Sequence, residues 1–179
     1  MNYVYLKDFL ENYSLPTLTI AVLVSVIVLI YDKFLSAKSP KTIRNFLPFV
    51  LAIALYFAYN AIFVCRAFVF SADAFSAGIL SGSLSVIITS SFYKIKSGKP
   101  IAVNAVAIII ESLIAGYVND SVLSTTANLI GDILDKEPDL ALEKVTETIT
   151  ENSSTPISAI ELKSVSSLII KAVTAIKNR

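Results

Sequence analysis

Residues 15–31 contain no charged side chain and are dominated by Val, Ile and Leu. No other feature constrains the fold as strongly, because a run of that length must be kept from water on every side. Further uncharged runs occupy 46–64 and 74–92, and a fourth at 101–118 is broken only by Glu111 and Asn104. A bilayer with a hydrocarbon core about 30 Å thick accepts such runs as helices of about 20 residues. The pattern predicts an all-α, polytopic membrane protein with four transmembrane helices, or three if the last does not span. A helical tail follows. Composition agrees, with 55% of residues hydrophobic, 16% charged and a mean hydropathy of +0.70. A soluble domain of 179 residues has too small a core to hide that apolar surface.

The four runs differ in character. The first reads as a span and not as a cleaved leader, because Lys7 is offset by Asp8 and Glu11, which leaves no basic segment ahead of it. Pro48 lies near the start of the second, where a missing N–H costs little. The fourth is the weakest: a charged group at mid-membrane costs about 2.5–3.5 kcal/mol, whereas each Ile, Leu or Val returns about 0.3–0.6. Glu111 therefore needs partners, among which Asn60, Asn104 and the serines of the third run are candidates.

Basic residues set the expected orientation. Lys33, Lys38, Lys41 and Arg44 lie between the first two runs, and Lys94, Lys96 and Lys99 between the last two. The positive-inside rule makes the connections 32–45 and 93–100 cytoplasmic and puts both termini outside. With three spans the tail moves inside.

Residues 1–118 thus read as the transmembrane domain and 119–179 as an extramembrane helical tail. The tail carries nine acidic and six basic side chains. Its last part repeats Ile157, Ile160, Val165, Leu168, Ile169, Val173 and Ile176 at helical spacing, with Lys163, Lys171 and Lys177 between them. This helix is amphipathic, suited to a membrane surface or to another protein helix.

Within the third run Gly78 and Gly82 form a GxxxG motif, and Ser81, Ser85 and Thr89 continue a small-residue face. In lipid such a face lets two helix backbones approach closely. Three readings stand open: packing within the chain, self-association, or a hydroxyl-lined pore. Glu111 is either a proton-coupling carboxylate or a protonated group bridging helices. Arg66 and Asp73 flank the outer connection as rim charges, paired or solvated.

Several classes are excluded by what the residues cannot do. The chain has no histidine and a single cysteine, Cys65, read as a buried apolar thiol. Leu80-Ser81-Gly82-Ser83 lacks the base that a serine nucleophile needs. Neither a metal site nor a cofactor motif is present, and no basic face suits nucleic acid. Asn12, Asn119 and Asn152 begin N-x-S sequences, a weak signal for glycosylation.

A non-enzyme is expected, with the lipid bilayer and further copies of itself or other membrane subunits as partners. The preferred expectation is a self-associating oligomeric membrane assembly, with association better motivated by the sequence than conduction through an enclosed pore. Small size, few helices and basic connecting loops are similar to bacteriophage holins, a likeness of class without a shared motif. The alternatives are a scaffold or accessory subunit of a larger membrane or virion-membrane complex, and a proton-coupled transporter using Glu111.

Overall fold

The computed structural model describes residues 13–34, 41–64, 69–97, 104–154 and 156–178. Those residues are helical apart from turns and two isolated bridges. Three helices are long and apolar enough to cross a membrane: α1 (Leu15–Phe34), α2 (Lys41–Tyr59, continued by a π turn over Asn60–Val64) and α3 (Ala72–Lys96). The chain is therefore all-α, with three helices of spanning length. The fourth apolar run forms only α4 (Ala105–Ile114), about 15 Å long at 1.5 Å per residue. Its carboxyl end stops at Ala115, and Gly116 then takes a positive φ of 83° that reverses the chain. The expected fourth span over 101–118 is thus replaced by a short buried helix, a form suited to apolar runs of that length.

Helix bounds also differ from the apolar runs. α2 begins at Lys41, which places Pro48 inside the helix and not in its first turn. α3 extends through Lys94 and Lys96, with Ser71 capping its amino end by accepting from the Ala74 N–H at 3.1 Å. Charged residues at a span's end continue the backbone pattern once the apolar part has set it.

α3 lies at the centre. α1 runs parallel to it, as Ser25 Oγ sits 3.1 Å from Ser85 Oγ. α2 runs antiparallel: Ile53 faces Gly78 and Phe49 faces Gly82. A Cβ on Gly78 would lie 2.7 Å from the Ile53 Cα, closer than any side chain tolerates. On Gly82 a Cβ would meet the Phe49 ring at 2.9 Å and its Cα at 3.0 Å. The GxxxG face is occupied by α2 of the same chain.

The opposite side of α3 is covered by α4 and α7 (Ala159–Lys177), on which α5 (Leu123–Lys136), a 3-10 turn at Pro138–Leu140 and α6 (Ala141–Glu151) stack as a further layer. One core joins Ile79 and Val86 of α3 with Ile109, Ile110 and Leu113 of α4, Ile130 of α5, Val145 and Ile149 of α6, and Val165 and Ile169 of α7. The segment 119–179 is helical, as its spacing predicts, but it packs on the long helices instead of standing off from them. α7 crosses the amino-terminal half of α3, and Ala175 and Ile176 reach the cluster of Ala21, Leu80 and Leu84. Lys171 Nζ lies 5.5 Å over the Phe75 ring. Ser158 caps α7 by accepting from the Glu161 N–H, and Tyr117 Oη donates to Glu161 at 2.8 Å. Lys177 pairs with Asp135, tying the end of α7 to α5.

Burial reflects this layering. In the apolar window of α3, 56% of residues are buried, against 33% for α1 and 22% for α2. α3 is enclosed by protein, while α1 and α2 keep one face open.

Two glycine substitutions should act in opposite directions. Gly78→Ala forces the α2 and α3 backbones apart and should destabilise the fold by about 1–3 kcal/mol. Gly131 of α5 has room, since a Cβ there would lie 3.9 Å from Ile110 Cδ1, and Gly131→Ala should stabilise by roughly 0.5–1 kcal/mol. Thermal unfolding in mild detergent, followed by circular dichroism, checks both; a Gly78→Ala variant as stable as the parent would refute the close approach.

Candidate functional site

Polar side chains inside an apolar bundle persist only where each has a partner, and among the described residues no buried side-chain N or O lacks one. Three hydroxyls of α3 are satisfied within the helix. Ser81 donates to the Ala77 carbonyl at 2.9 Å, Ser83 to Ile79 at 3.0 Å and Thr89 to Ser85 at 2.9 Å. Ser25 of α1 donates to the Ala21 carbonyl and also meets the Ser85 hydroxyl. Ser81 and Ser85 are fully buried and Thr89 nearly so. This face of the bundle is a packing seam between helices, with its hydroxyls paired to their own backbones or, at Ser25 and Ser85, to each other.

The charged and open polar groups gather at the other end of the bundle, where α1 and α3 finish and α2 begins. Tyr93 Oη donates to Asp32 Oδ2 at 3.0 Å, and Arg44 Nε lies 3.8 Å from Asp32 Oδ1. Asn45 donates to the Leu113 and Ala115 carbonyls at 3.0 and 3.3 Å, satisfying acceptors that the end of α4 leaves without helical donors. Ser90 and Ser112 share a hydrogen bond of 2.7 Å between α3 and α4. These groups border a cavity of about 290 Å³ whose remaining wall is apolar, from Val28, Pro48, Val86 and Leu113.

Beside the cavity, Glu111 pairs with Lys94 at 3.1 Å and accepts from Ser124 at 2.8 Å. It therefore sits at the level of the last turns of α3, with an opposite charge in contact. Asn104 caps α4, accepting from the Val106 N–H at 2.9 Å. Asn60 opens the π turn at the far end of α2, remote from Glu111 and Asn104. Asp73 is exposed in the first turn of α3, on a groove of about 650 Å³ that Lys171 and Thr174 line from α7. Arg66, Cys65 and Asn12 lie outside the described residues.

The residues singled out from the sequence are thus divided among three places. Gly78, Ser81, Gly82 and Ser85 form the seam, and Thr89 stands where the seam meets the cavity wall; Glu111 and Asn104 belong to α4; Asn60 and Asp73 lie towards the opposite end. Sequence reading used Arg44 only for orientation and did not single out Asp32, Asn45, Tyr93 or Ser112. Asp32 ends an uncharged run and Arg44 starts the next, so both looked like loop residues beyond the spans. The available signal was helical continuation, since an acid and a base at the ends of neighbouring antiparallel helices are brought to one level by the hairpin.

No protein-family model, curated protein or solved structure matches this chain. What the fold defines is an all-α protein with three helices of membrane-spanning length and composition.

The Lys94–Glu111 pair is about three-quarters or more removed from solvent. A double-mutant cycle of Lys94→Met and Glu111→Gln, read by detergent thermal stability, should give a coupling of about 1 kcal/mol. Additive effects of the two substitutions would mean that the pair does not form.

Proposed function

We propose that the chain is a multi-pass membrane protein that self-associates, with α1 and α2 against lipid and α5–α7 towards a water-filled interior shared by several copies. One observation carries this reading: the two sides of a single bundle have opposite chemistry along the length of α3. On one side Val22, Leu23, Val26 and Ile30 of α1 and Val50 of α2 are exposed, an apolar surface suited to acyl chains. On the other, Asp132, Glu143, Glu147, Lys163 and Lys171 are exposed, interrupted by Leu129, Leu142 and Ile160. Charged groups at bilayer depth face a water-filled cavity or protein, because facing lipid is costly. Several copies that turned their polar sides inwards would satisfy both surfaces at once. The protein itself has no assembled catalytic group in this account.

Orientation follows from charge. Lys33, Arg44, Lys94 and Lys96 cluster where α1 and α3 end and α2 begins, which supports a cytoplasmic assignment of that end by the positive-inside rule. Three spans then put the start of α1 outside and deliver the chain after α3 to the inside, from which α4–α7 return along the bundle.

The opposing reading is a single-copy subunit of a larger membrane complex, and it also has an observation in its favour. Gly78 and Gly82 meet α2 of the same chain, so the GxxxG face needs no second copy. The transporter reading draws no comparable support, since Glu111 is held by Lys94 and Ser124.

Two measurements separate these. Mass in mild detergent should correspond to several copies; a single-copy mass would favour the subunit reading and remove ours. In a Cys65→Ala background reconstituted in liposomes, Glu147→Cys and Lys163→Cys should react with a membrane-impermeant maleimide. Leu23→Cys and Val26→Cys should stay unreactive, and labelling of all four positions would contradict the two-sided arrangement.

A further inference from the structure

We propose that the cavity at the basic end of the bundle binds the headgroup of a zwitterionic phospholipid that carries a primary ammonium, with the phosphate on Arg44 and the ammonium on Asp32. The inference uses the membrane placement above but not the number of copies.

The cavity's charge complement selects the ligand class. Among the described residues its lining holds one carboxylate, Asp32, and one guanidinium, Arg44. An anion alone would meet the Asp32 charge, and a cation alone would meet Arg44; a group carrying both signs matches both. The two side chains lie 3.8 Å apart at their nearest charged atoms, beyond a direct hydrogen bond. The Arg44 side chain is 51% exposed, so its planar fork is within reach of a phosphate diester, the geometry guanidinium suits best. The hydrogen bond that Tyr93 donates holds the Asp32 carboxylate in place at the cavity wall.

The surroundings point to a lipid. Val28, Pro48, Val86 and Leu113 give the cavity an apolar wall, suited to the glycerol and first methylenes. Ile30 and Phe34 of α1 and Ile43 of α2 are exposed near the same end, offering apolar surface for the acyl chains. The cavity also stands where the lysine-bearing helix ends meet the headgroup layer, so a lipid reaches it without leaving its leaflet.

Binding is read by native mass spectrometry of the full chain in mild detergent, titrated with matched phosphatidylethanolamine, phosphatidylcholine and phosphatidylglycerol. Phosphatidylethanolamine should bind at least about tenfold more tightly than either, since choline offers no N–H and glycerol no charge to Asp32. Arg44→Gln should lower its affinity by about tenfold or more, and Asp32→Asn should erase the preference over phosphatidylglycerol. Competition by soluble phosphoethanolamine at similar concentration would support the same ammonium–phosphate chemistry but assign it to a free metabolite. Equal affinity for the three lipids, or unchanged binding by Arg44→Gln, would overturn the proposal. If either variant fails to melt cooperatively without lipid, the ranking of the three lipids on the unaltered chain decides alone. The same spectra report copy number, so a failure here is distinguishable from a failure of the assembly.

Discussion

The arrangement depends on how closely α2 can approach α3. At Gly78 the gap to the Ile53 Cα leaves no space for a methyl group, and at Gly82 the Phe49 ring lies where one would be. In lipid there is no water to expel between helices, so their attraction comes from dispersion contacts and hydrogen bonds, which gain from close approach. Glycine at these two positions supplies the approach. α3 can then be packed on one side by α1 and α2 and keep its other side for α4–α7.

Being enclosed changes what the polar residues of α3 do. A serine that faces a neighbouring helix must be paired, and Ser81 and Ser83 pair with carbonyls one turn back. Their small size keeps the seam thin, and their hydroxyls add no unmet demand. The charges are handled differently. Those within the bundle's reach, Asp32, Arg44, Lys94 and Glu111, are collected at one end in contact with opposite charges, while the other charged residues of α5–α7 lie mainly on the outer polar side. A molecule apolar on one flank and polar on the other is incomplete in any single solvent, and the proposed assembly rests on that mismatch.

The long helices were legible because an uncharged run leaves few alternatives: once water is excluded, the backbone must satisfy itself as helix. The glycine pair was legible as a contact, though not its partner, because small residues announce close packing without saying from which chain the neighbour comes. Three features were hidden. The fourth run looked long enough to span, but Asn104 caps its helix and Gly116 turns the chain, so among its described residues the helix lies between these two. The docking of α7 on α3 depends on Leu80, Ala175 and Ile176 meeting across a wide separation in sequence, and an amphipathic face states that it needs a partner without naming one. The polar cavity draws on the ends of three helices and on Asn45, Ser112 and Tyr93, none of which forms a motif along the chain.

The central claim is that α7 lies on α3 while α3 is in the membrane, and proximity within one chain tests it most directly. In a Cys65→Ala background in native membranes, Ser25→Cys with Ser85→Cys should form a disulfide on oxidation, as the 3.1 Å separation of the two hydroxyls implies. That pair reports an intact bundle. Ala77→Cys with Thr174→Cys, which border one groove from α3 and α7, should then be joined within a single chain by a short bis-maleimide. Formation of the first link without the second would show the long helices assembled and α7 elsewhere, contradicting the two-layered structure and the assembly built on it.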